Sequence, residues 1–138
     1  MASKISDQPW EEFSGGDFID DLKGRDVERA ISWLADDFVW HVPGAKEFGG
    51  GPYYGVQGLK DFAAVSKKFF PESLKRVWQR EWHAKGATIL ETTLEGPAVT
   101  GRLYHNDYVF LFVHNTEGKI MEVREYQDIE PLRAVIEG

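Results

Sequence analysis

The stretch YHNDYVFLFVHNTEGKIMEVREYQD, residues 104–128, reads as two β-strands joined by a turn. Aromatic and β-branched residues dominate its first half, the tetrapeptide TEGK supplies turn residues, and its second half alternates between apolar and polar side chains. We therefore predict a long strand at about residues 101–115, followed across the turn by an antiparallel final strand at 119–128.

The final strand places a carboxylate on its inward face. Successive side chains of a strand point to opposite faces, and Met121 and Val123 mark the odd-numbered face as the one toward the interior. Glu125 lies on that face. A carboxylate in an apolar cavity loses hydration, which raises its pKa and suits a general acid or base near neutral pH. Glu125 is our main catalytic candidate. A salt bridge to an arginine, or a position on an exposed edge, is the structural alternative.

Helices and strands follow one another in an order that predicts the fold class. Helices are predicted at about residues 9–23, 26–35 (with Asp26 as N-cap) and 56–70. Strands are predicted at 38–42, at Tyr53–Tyr54 within a glycine-rich loop, and at 74–84, 87–96, 101–115 and 119–128. This order is typical of an α+β fold in which a curved antiparallel sheet wraps around about three helices. The result is a cone with an internal pocket, formed by a single domain over residues 1–138.

The composition limits the function classes. The 138 residues carry a net charge of −7 and contain no cysteine. Nucleic acids and anionic membranes need clustered lysine and arginine, which this sequence lacks. Without an apolar run of ~18 residues or a secretory signal, we expect a cytoplasmic protein. The four histidines show no metal-ligand spacing, and no phosphate-binding loop is present, so we expect neither metal nor cofactor.

The strand FVWHV, residues 38–42, contains a second catalytic candidate. His41 shares one face with Val39 and Pro43, whereas Trp40 lies on the other face with Phe38 and Val42. Because histidine titrates near physiological pH, His41 could relay protons to Glu125. The alternative is a core histidine that is hydrogen-bonded to the backbone.

The aromatic strand offers two interpretations, which differ in the face that lines the pocket. In the first, Tyr104, Asn106, Tyr108, Phe110 and Phe112 face the pocket, and Asn106 holds a carbonyl or enol oxygen of the ligand. In the second, His105 and Asp107 face it as an acid–base couple. We favour the first. The predicted substrate-binding residues are Asn106, Tyr104, Tyr108, Phe110, Trp40, Tyr54 and Phe62.

Trp78 and Trp82 alternate with Arg76 and Arg80 along a predicted strand. Large rings beside cations suit stacking or a subunit contact. An exposed sheet face of this kind predicts a homodimer.

Three segments together resemble one family. ADDFVWHVPG, YYGVQGLKDFA and YHNDYVFLFVHNTEGKIMEVREYQD are similar to the SnoaL-like branch of the nuclear transport factor 2-like superfamily, over about residues 10–130. The resemblance implies an α+β cone, often dimeric through the outer face of its sheet. It also implies that the acid at Glu125 works on the ligand, as in SnoaL-like cyclases, epoxide hydrolases and phenazine-biosynthesis proteins.

Two departures restrict what the resemblance implies. Ketosteroid isomerases place a catalytic aspartate three residues before a glycine, where this chain has His41 before Gly44. Epoxide hydrolases of this fold use an Arg-x-Asp element on a middle strand, where this chain reads ILETTLEG. Neither reaction carries over directly.

These observations predict a cofactor-independent isomerase, cyclase or dehydratase that acts by acid–base catalysis. Its substrate would be a small hydrophobic oxygenated molecule, a polyketide- or terpenoid-like intermediate of secondary metabolism. Glu125 would move the proton, His41 would assist, and Asn106 with Tyr104 or Tyr108 would hold a developing oxyanion. The alternative is a non-catalytic ligand-binding module of the same fold.

Overall fold

The computed structural model describes residues 3–137 and consists of helices packed on one face of a six-stranded curved sheet. The elements in chain order are α1 (Gly15–Asp20), a looser helical turn (Asp21–Arg25), α2 (Val27–Ser32), β1 (Leu34–His41), a short 3-10 turn (Lys46–Phe48), β2 (Tyr53–Tyr54), α3 (Gly55–Phe69), β3 (Lys75–Ala84), β4 (Ala87–Pro97), β5 (Leu103–His114), β6 (Ile120–Gln127) and α4 (Ile129–Ile136).

The sheet has the strand order β2-β1-β6-β5-β4-β3. Consecutive strands from β3 to β6 pair antiparallel, which confirms the prediction for the last four strands. β1 lies beside β6 in the parallel direction, with Trp40 opposite Val123. The sequence analysis did not predict this parallel pair. It brings the end of β1 next to the part of β6 that carries Glu125.

The first two helices are shorter than predicted. The Ser14 side chain accepts a hydrogen bond from the Asp17 N–H (3.1 Å), so α1 begins after Ser14 rather than near residue 9. Asp26 caps α2 as predicted, accepting from the Arg29 N–H (3.1 Å). α2 then ends at Ser32, because the chain enters β1 at Leu34 instead of continuing as a helix to residue 35.

The core lies between the helices and the concave face of the sheet. Its fully buried members come from every layer, and the largest apolar and aromatic ones are Trp40, Tyr104, Phe13, Phe18, Phe38, Phe112, Leu59, Leu90, Ile120 and Val123. The backbone of α1 approaches the sheet so closely that a Cβ on Gly15 would lie 2.7 Å from the Phe112 ring. The glycine therefore permits this helix to pack against β4 and β5.

The C-terminal helix α4 was not predicted from the sequence. The Asp128 side chain caps it by accepting a hydrogen bond from the Glu130 N–H (3.0 Å). Two residues of the helix, Leu132 and Val135, are buried. Pro131 is compatible with a helix here because it lies in the first turn, where its missing N–H has no partner to lose. Within residues 3–137, none of the helices is long and apolar enough to cross a membrane.

Candidate functional site

A cavity of about 330 Å³ lies between α3, the turn Asp21–Arg25 and the concave side of β1, β5 and β6. This volume is within the range typical of small-molecule sites. Five residues predicted for the site line it: Glu125, Trp40, Tyr108, Phe110 and Phe62. Exposed lining residues, among them Gly24, Val27, Ser66 and Lys67, mark its opening to solvent.

Two pairs of stacked rings form the apolar walls. The Trp40 and Phe62 rings stack with centroids 4.3 Å apart and an interplanar angle of 24°. The Tyr108 and Phe110 rings stack at 5.6 Å and 5°. Flat ring faces of this kind suit a planar, largely apolar ligand, since aromatic surfaces pack well in offset stacks.

Glu125 is the buried carboxyl group of the cavity, with 7% of its surface exposed. Burial raises the pKa of its carboxyl to about 8, because a carboxylate loses its hydration there. The indole N–H of Trp40 and the ammonium of Lys23 each oppose part of this rise in pKa. In the described part of the chain, no arginine forms an ion pair with it. Glu125 is therefore mainly protonated at pH 7 and close to titration.

Trp40 brings an indole N–H to the cavity, which acts on the Glu125 carboxyl without forming a hydrogen bond of ordinary geometry. Its side chain is fully buried, and its Nε1–H has no hydrogen-bond partner of ordinary geometry among residues 3–137. A buried donor without a partner costs about 1–3 kcal/mol of stability. An acceptor atom of a ligand in the cavity would remove this cost.

A hydrogen-bonded chain runs from Glu125 into the wall behind the cavity. Gln127 Nε2 donates to Glu125 Oε2 (3.0 Å), and Gln127 Oε1 accepts from the Tyr104 hydroxyl (3.0 Å). The Tyr104 and Tyr108 hydroxyl oxygens lie 2.5 Å apart. Burial raises the pKa of Tyr104 to about 12 and that of Tyr108 well above its ordinary value, so both remain neutral. This chain fixes the position of the Glu125 carboxyl.

Asn106 and Tyr104 lie on the buried face of β5, as the favoured interpretation predicts, but behind the cavity wall. Asn106 Nδ2 donates to the Tyr104 hydroxyl (2.8 Å) and to the Asp128 carbonyl (2.8 Å), and its Oδ1 accepts from the Asp107 N–H (2.9 Å). The prediction that the Asn106 amide holds a substrate oxygen is therefore wrong, because the wall itself uses this amide. Neither Tyr104 nor Asn106 lines the cavity.

His41 and Tyr54 lie outside the cavity, which corrects two further predictions. Because Trp40 points inward from β1, His41 points to the opposite face of the sheet, where its Nε2 lies 3.5 Å from Glu122 Oε2. The expected relay between His41 and Glu125 does not exist in this arrangement. Tyr54 is 68% exposed in the short edge strand β2.

Two cavity residues that act on Glu125 were missed by the sequence analysis. Gln127 lies on the same face of β6 as Glu125, two residues later, so the strand alternation contained a signal for it. Lys23 comes from the turn after α1, and its Nζ donates to the Leu74 carbonyl (2.6 Å). Burial lowers the pKa of Lys23. The sequence gives no signal for Lys23, because helix ends carry lysine for many reasons.

Metal-ligand chemistry has no candidate among the described residues, where no group of three or more histidine, cysteine, aspartate or glutamate side chains could hold an ion. Within its aromatic walls the cavity contains the Glu125 carboxyl, whose pKa is about 8, the partly buried Lys23 ammonium and the Trp40 indole N–H.

The sequence comparison identifies the family. Residues 16–123, more than three quarters of the chain, match the model of the SnoaL-like domain. The chain belongs to the SnoaL-like domain family. No protein of curated function matches this SnoaL-like chain in sequence.

Solved structures share the fold at low sequence identity. An NTF2-like protein from Burkholderia xenovorans LB400 superposes with a TM-score of 0.73 at 20% identity, covering 87% of this chain and 90% of that chain. TerC, co-crystallised with polyporic acid, superposes with a TM-score of 0.71 at 22% identity, covering 88% of this chain and 93% of TerC. A phenazine biosynthesis-related protein from Pseudomonas aeruginosa superposes with a TM-score of 0.68 at 16% identity, covering 88% of this chain and 80% of that protein. These similarities confirm the cone-shaped α+β fold of the SnoaL-like protein.

Proposed function

We propose that this SnoaL-like protein is a cofactor-independent enzyme that isomerises, cyclises or dehydrates a small oxygenated organic molecule, with Glu125 as general acid and base. The observation that carries the proposal is the position of Glu125. Its carboxyl lies in a cavity that opens to solvent, burial raises its pKa to about 8, and no described arginine neutralises it. A structural carboxylate would be expected to have such a partner.

The chemistry follows from what surrounds the carboxyl. In its ionised form, Glu125 removes a proton from a carbon next to a carbonyl group, and the electron pair of the broken C–H bond forms an enolate. The donors of Trp40 and Lys23 face the same cavity and would stabilise the negative oxygen. The protonated Glu125 then returns the proton at a different carbon, or gives it to a departing hydroxyl group. Because its pKa is near neutral, both protonation states are accessible at physiological pH.

The substrate class is an intermediate of natural-product metabolism with a flat, mainly apolar body. The stacked rings of the cavity walls support a planar ligand. Two proteins of the same fold support this class as well: TerC was co-crystallised with polyporic acid, and the Pseudomonas aeruginosa protein is related to phenazine biosynthesis.

A second function, ligand binding without turnover, is favoured by one observation. Glu125 already accepts a hydrogen bond from Gln127, which belongs to a closed network within the wall. A carboxyl held in this way could serve only to orient a ligand. Because His41 lies on the outer face beside Glu122, Glu125 also has no contact with His41 for proton transfer.

An exchange experiment separates the two functions. Planar cyclic ketones and hydroxyquinones are incubated with the protein in D₂O, and NMR follows the replacement of C–H by C–D. We expect the wild type and Glu122→Gln to catalyse exchange, and Glu125→Gln to be slower by about 10²-fold or more, the usual contribution of a positioned general base. Glu122 is a matched control, since it lies in the same strand on the outer face. Probes that bind all three proteins and exchange in none would instead support the binding module.

We also propose a homodimer that forms through the outer face of the sheet, the face turned away from the helices. Trp78 and Trp82 are exposed there, and the Arg80 guanidinium lies over both rings, at 5.4 and 5.1 Å from their centroids. Val109 and Tyr126 continue this exposed apolar surface across the sheet. Large exposed apolar patches mark interaction sites in soluble proteins.

A further inference from the structure

We propose that Lys23 binds an acidic group of the substrate, so that this SnoaL-like protein acts on organic anions, carboxylates or enolates with a flat apolar body, rather than on neutral molecules. The inference rests on the proposed function only in taking the same cavity as the substrate site. It adds a specificity-determining residue and the charge of the ligand.

The ammonium of Lys23 has hydrogen-bonding capacity to spare. It carries three N–H donors, and the Leu74 carbonyl takes one of them at 2.6 Å. The ion pairs of residues 3–137 include none with Lys23. The carboxylate whose charge acts most strongly on Lys23 is that of Asp20. This carboxylate forms its ion pair with Arg76, at 2.9 Å, and not with Lys23. A partly buried ammonium with one neutral partner is an incomplete site, because a buried charge is stable when it is paired and hydrogen-bonded.

A second donor points to the same ligand chemistry. The Trp40 Nε1–H lines the cavity, is fully buried and has no partner of ordinary geometry in the described residues. Unsatisfied buried donors are rare in native proteins and call for an acceptor. Lys23 and Trp40 therefore both present N–H donors to the cavity, which suit an oxygen-rich, negatively charged group.

The charge balance of the cavity agrees with this assignment. Glu125 is mainly protonated at neutral pH, since burial raises the pKa of its carboxyl to about 8. The cavity is thus cationic at pH 7, although the whole chain has a net charge of −7. A local field of this sign attracts and orients an anion within low-dielectric walls.

The ligand's shape follows from the walls. A planar body can lie against the aromatic side chains that line the cavity, such as Phe62 and Phe110, while its acidic group reaches Lys23. Aromatic carboxylates and the enolates of cyclic 1,3-diketones or hydroxyquinones have this combination of a flat apolar body and an anionic oxygen group.

The test compares two probes of nearly the same shape, 2-naphthoate and neutral 2-naphthamide. Dissociation constants are measured by calorimetry for the wild type, Lys23→Met, Lys23→Arg and Lys67→Met. Methionine keeps the length of the lysine side chain without its charge, and Lys67 is the matched control because it lies exposed at the opening. Thermal unfolding of each variant establishes that it is folded.

We expect the wild type to bind naphthoate at least about 10-fold more tightly than naphthamide, the factor that 1.4 kcal/mol of binding free energy supplies. Lys23→Met should lose this preference and keep its affinity for naphthamide. Lys23→Arg and Lys67→Met should retain the preference. A wild type that binds neither probe, or binds both equally, would overturn the inference, as would a Lys23→Met protein that keeps the preference.

The pH dependence of binding provides a further check. The charged groups that act on Lys23 are Asp20, Arg76 and Glu125. As pH rises through about 8, Glu125 ionises, and its carboxylate repels the bound anion and competes for Lys23. Naphthoate should therefore bind several-fold more weakly at about pH 9 than at about pH 7, whereas naphthamide should not change. In Glu125→Gln, most of this dependence should disappear; a dependence that stays unchanged there would contradict the arrangement.

The outcomes separate this inference from the catalytic proposal. If Lys23 controls anion preference but no variant catalyses proton exchange, the anion site stands and the enzyme proposal fails. If exchange depends on Glu125 while anion preference does not depend on Lys23, the catalytic proposal stands and the inference about substrate charge fails.

Discussion

Glu122 and Glu125 lie three residues apart in β6 and project from opposite faces of the sheet. Glu122 lies on the outer face, 3.5 Å from the His41 imidazole, and Glu125 lines the cavity. The two side chains are chemically identical, but only that of Glu125 is buried. This burial raises the pKa of Glu125 to about 8. Glu122 is for this reason the control for each experiment on Glu125.

The first prediction concerns the pH dependence of stability. The pKa of Glu125 is about 8 in the folded protein and near its ordinary value of 4.5 in the unfolded chain. Below about pH 4.5, both states hold the proton. As pH rises toward 8, the unfolded chain loses this proton first, so the free energy of unfolding falls. Glu125→Gln lacks this titration and should become more stable than the wild type over this window, by an amount on the order of a few kcal/mol.

Urea denaturation at several pH values measures this difference. Glu122→Gln should follow the wild type throughout. A difference between Glu125→Gln and the wild type that does not change with pH would mean that Glu125 ionises normally in the folded protein. An unfolded Glu125→Gln protein would point instead to a structural role of the ionised carboxyl.

The second prediction concerns His41. Because its side chain lies on the outer face beside Glu122, His41→Ala should leave the rate of proton exchange within about twofold of the wild-type rate, as expected for a residue with no contact to the reacting atoms. The double variant with Glu125→Gln should behave like Glu125→Gln alone. A His41→Ala protein with a tenfold lower rate would require a coupling through the sheet that the observed contacts do not provide.

The third prediction concerns the network in the cavity wall. The Tyr104 hydroxyl contacts Asn106, Tyr108 and Gln127. Tyr104→Phe removes this shared oxygen and leaves buried polar groups without partners, so it should lower the free energy of unfolding by about 1–3 kcal/mol. Tyr126→Phe is the matched control. Tyr126 is 44% exposed, and within residues 3–137 its hydroxyl bonds only to Arg124, so the loss of this hydroxyl should change stability by less than about 0.5 kcal/mol.

The sequence predicted the hairpin of β5 and β6 well, because a period of two along a strand assigns each side chain to a face. Glu125, Tyr108 and Phe110 face the cavity for this reason. The same rule was applied to β1 without knowing which of its faces is buried. His41 was therefore assigned to the cavity, whereas the structure places it on the outer face. Local pattern determines alternation, but the packing of the sheet against the helices determines which face is inside.

The residues missed by the sequence analysis depend on contacts between distant segments. Lys23 reaches the cavity because its ammonium bonds to the carbonyl of Leu74, 51 residues away. The parallel pairing of β1 with β6 likewise joins strands about 80 residues apart in the chain. Such contacts have no periodic signature in one sequence.

The last prediction concerns assembly. The outer face of β3 exposes Trp78 and Trp82 at 46% and 45% of their surfaces, which is a large apolar area for a monomer to leave in water. If two copies cover this face, sedimentation at about 20 µM should give a dimer, as interfaces of standard size do at such concentrations. Trp82→Glu places a charge at the contact and should shift the protein to monomer without unfolding it, because the side chain is not part of the core. Tyr54→Glu changes an aromatic residue that is still more exposed, in the edge strand at the other end of the sheet, and should leave the dimer intact. A wild type that sediments only as a monomer would contradict the homodimer, and a Tyr54→Glu monomer would place the contact at β2 instead.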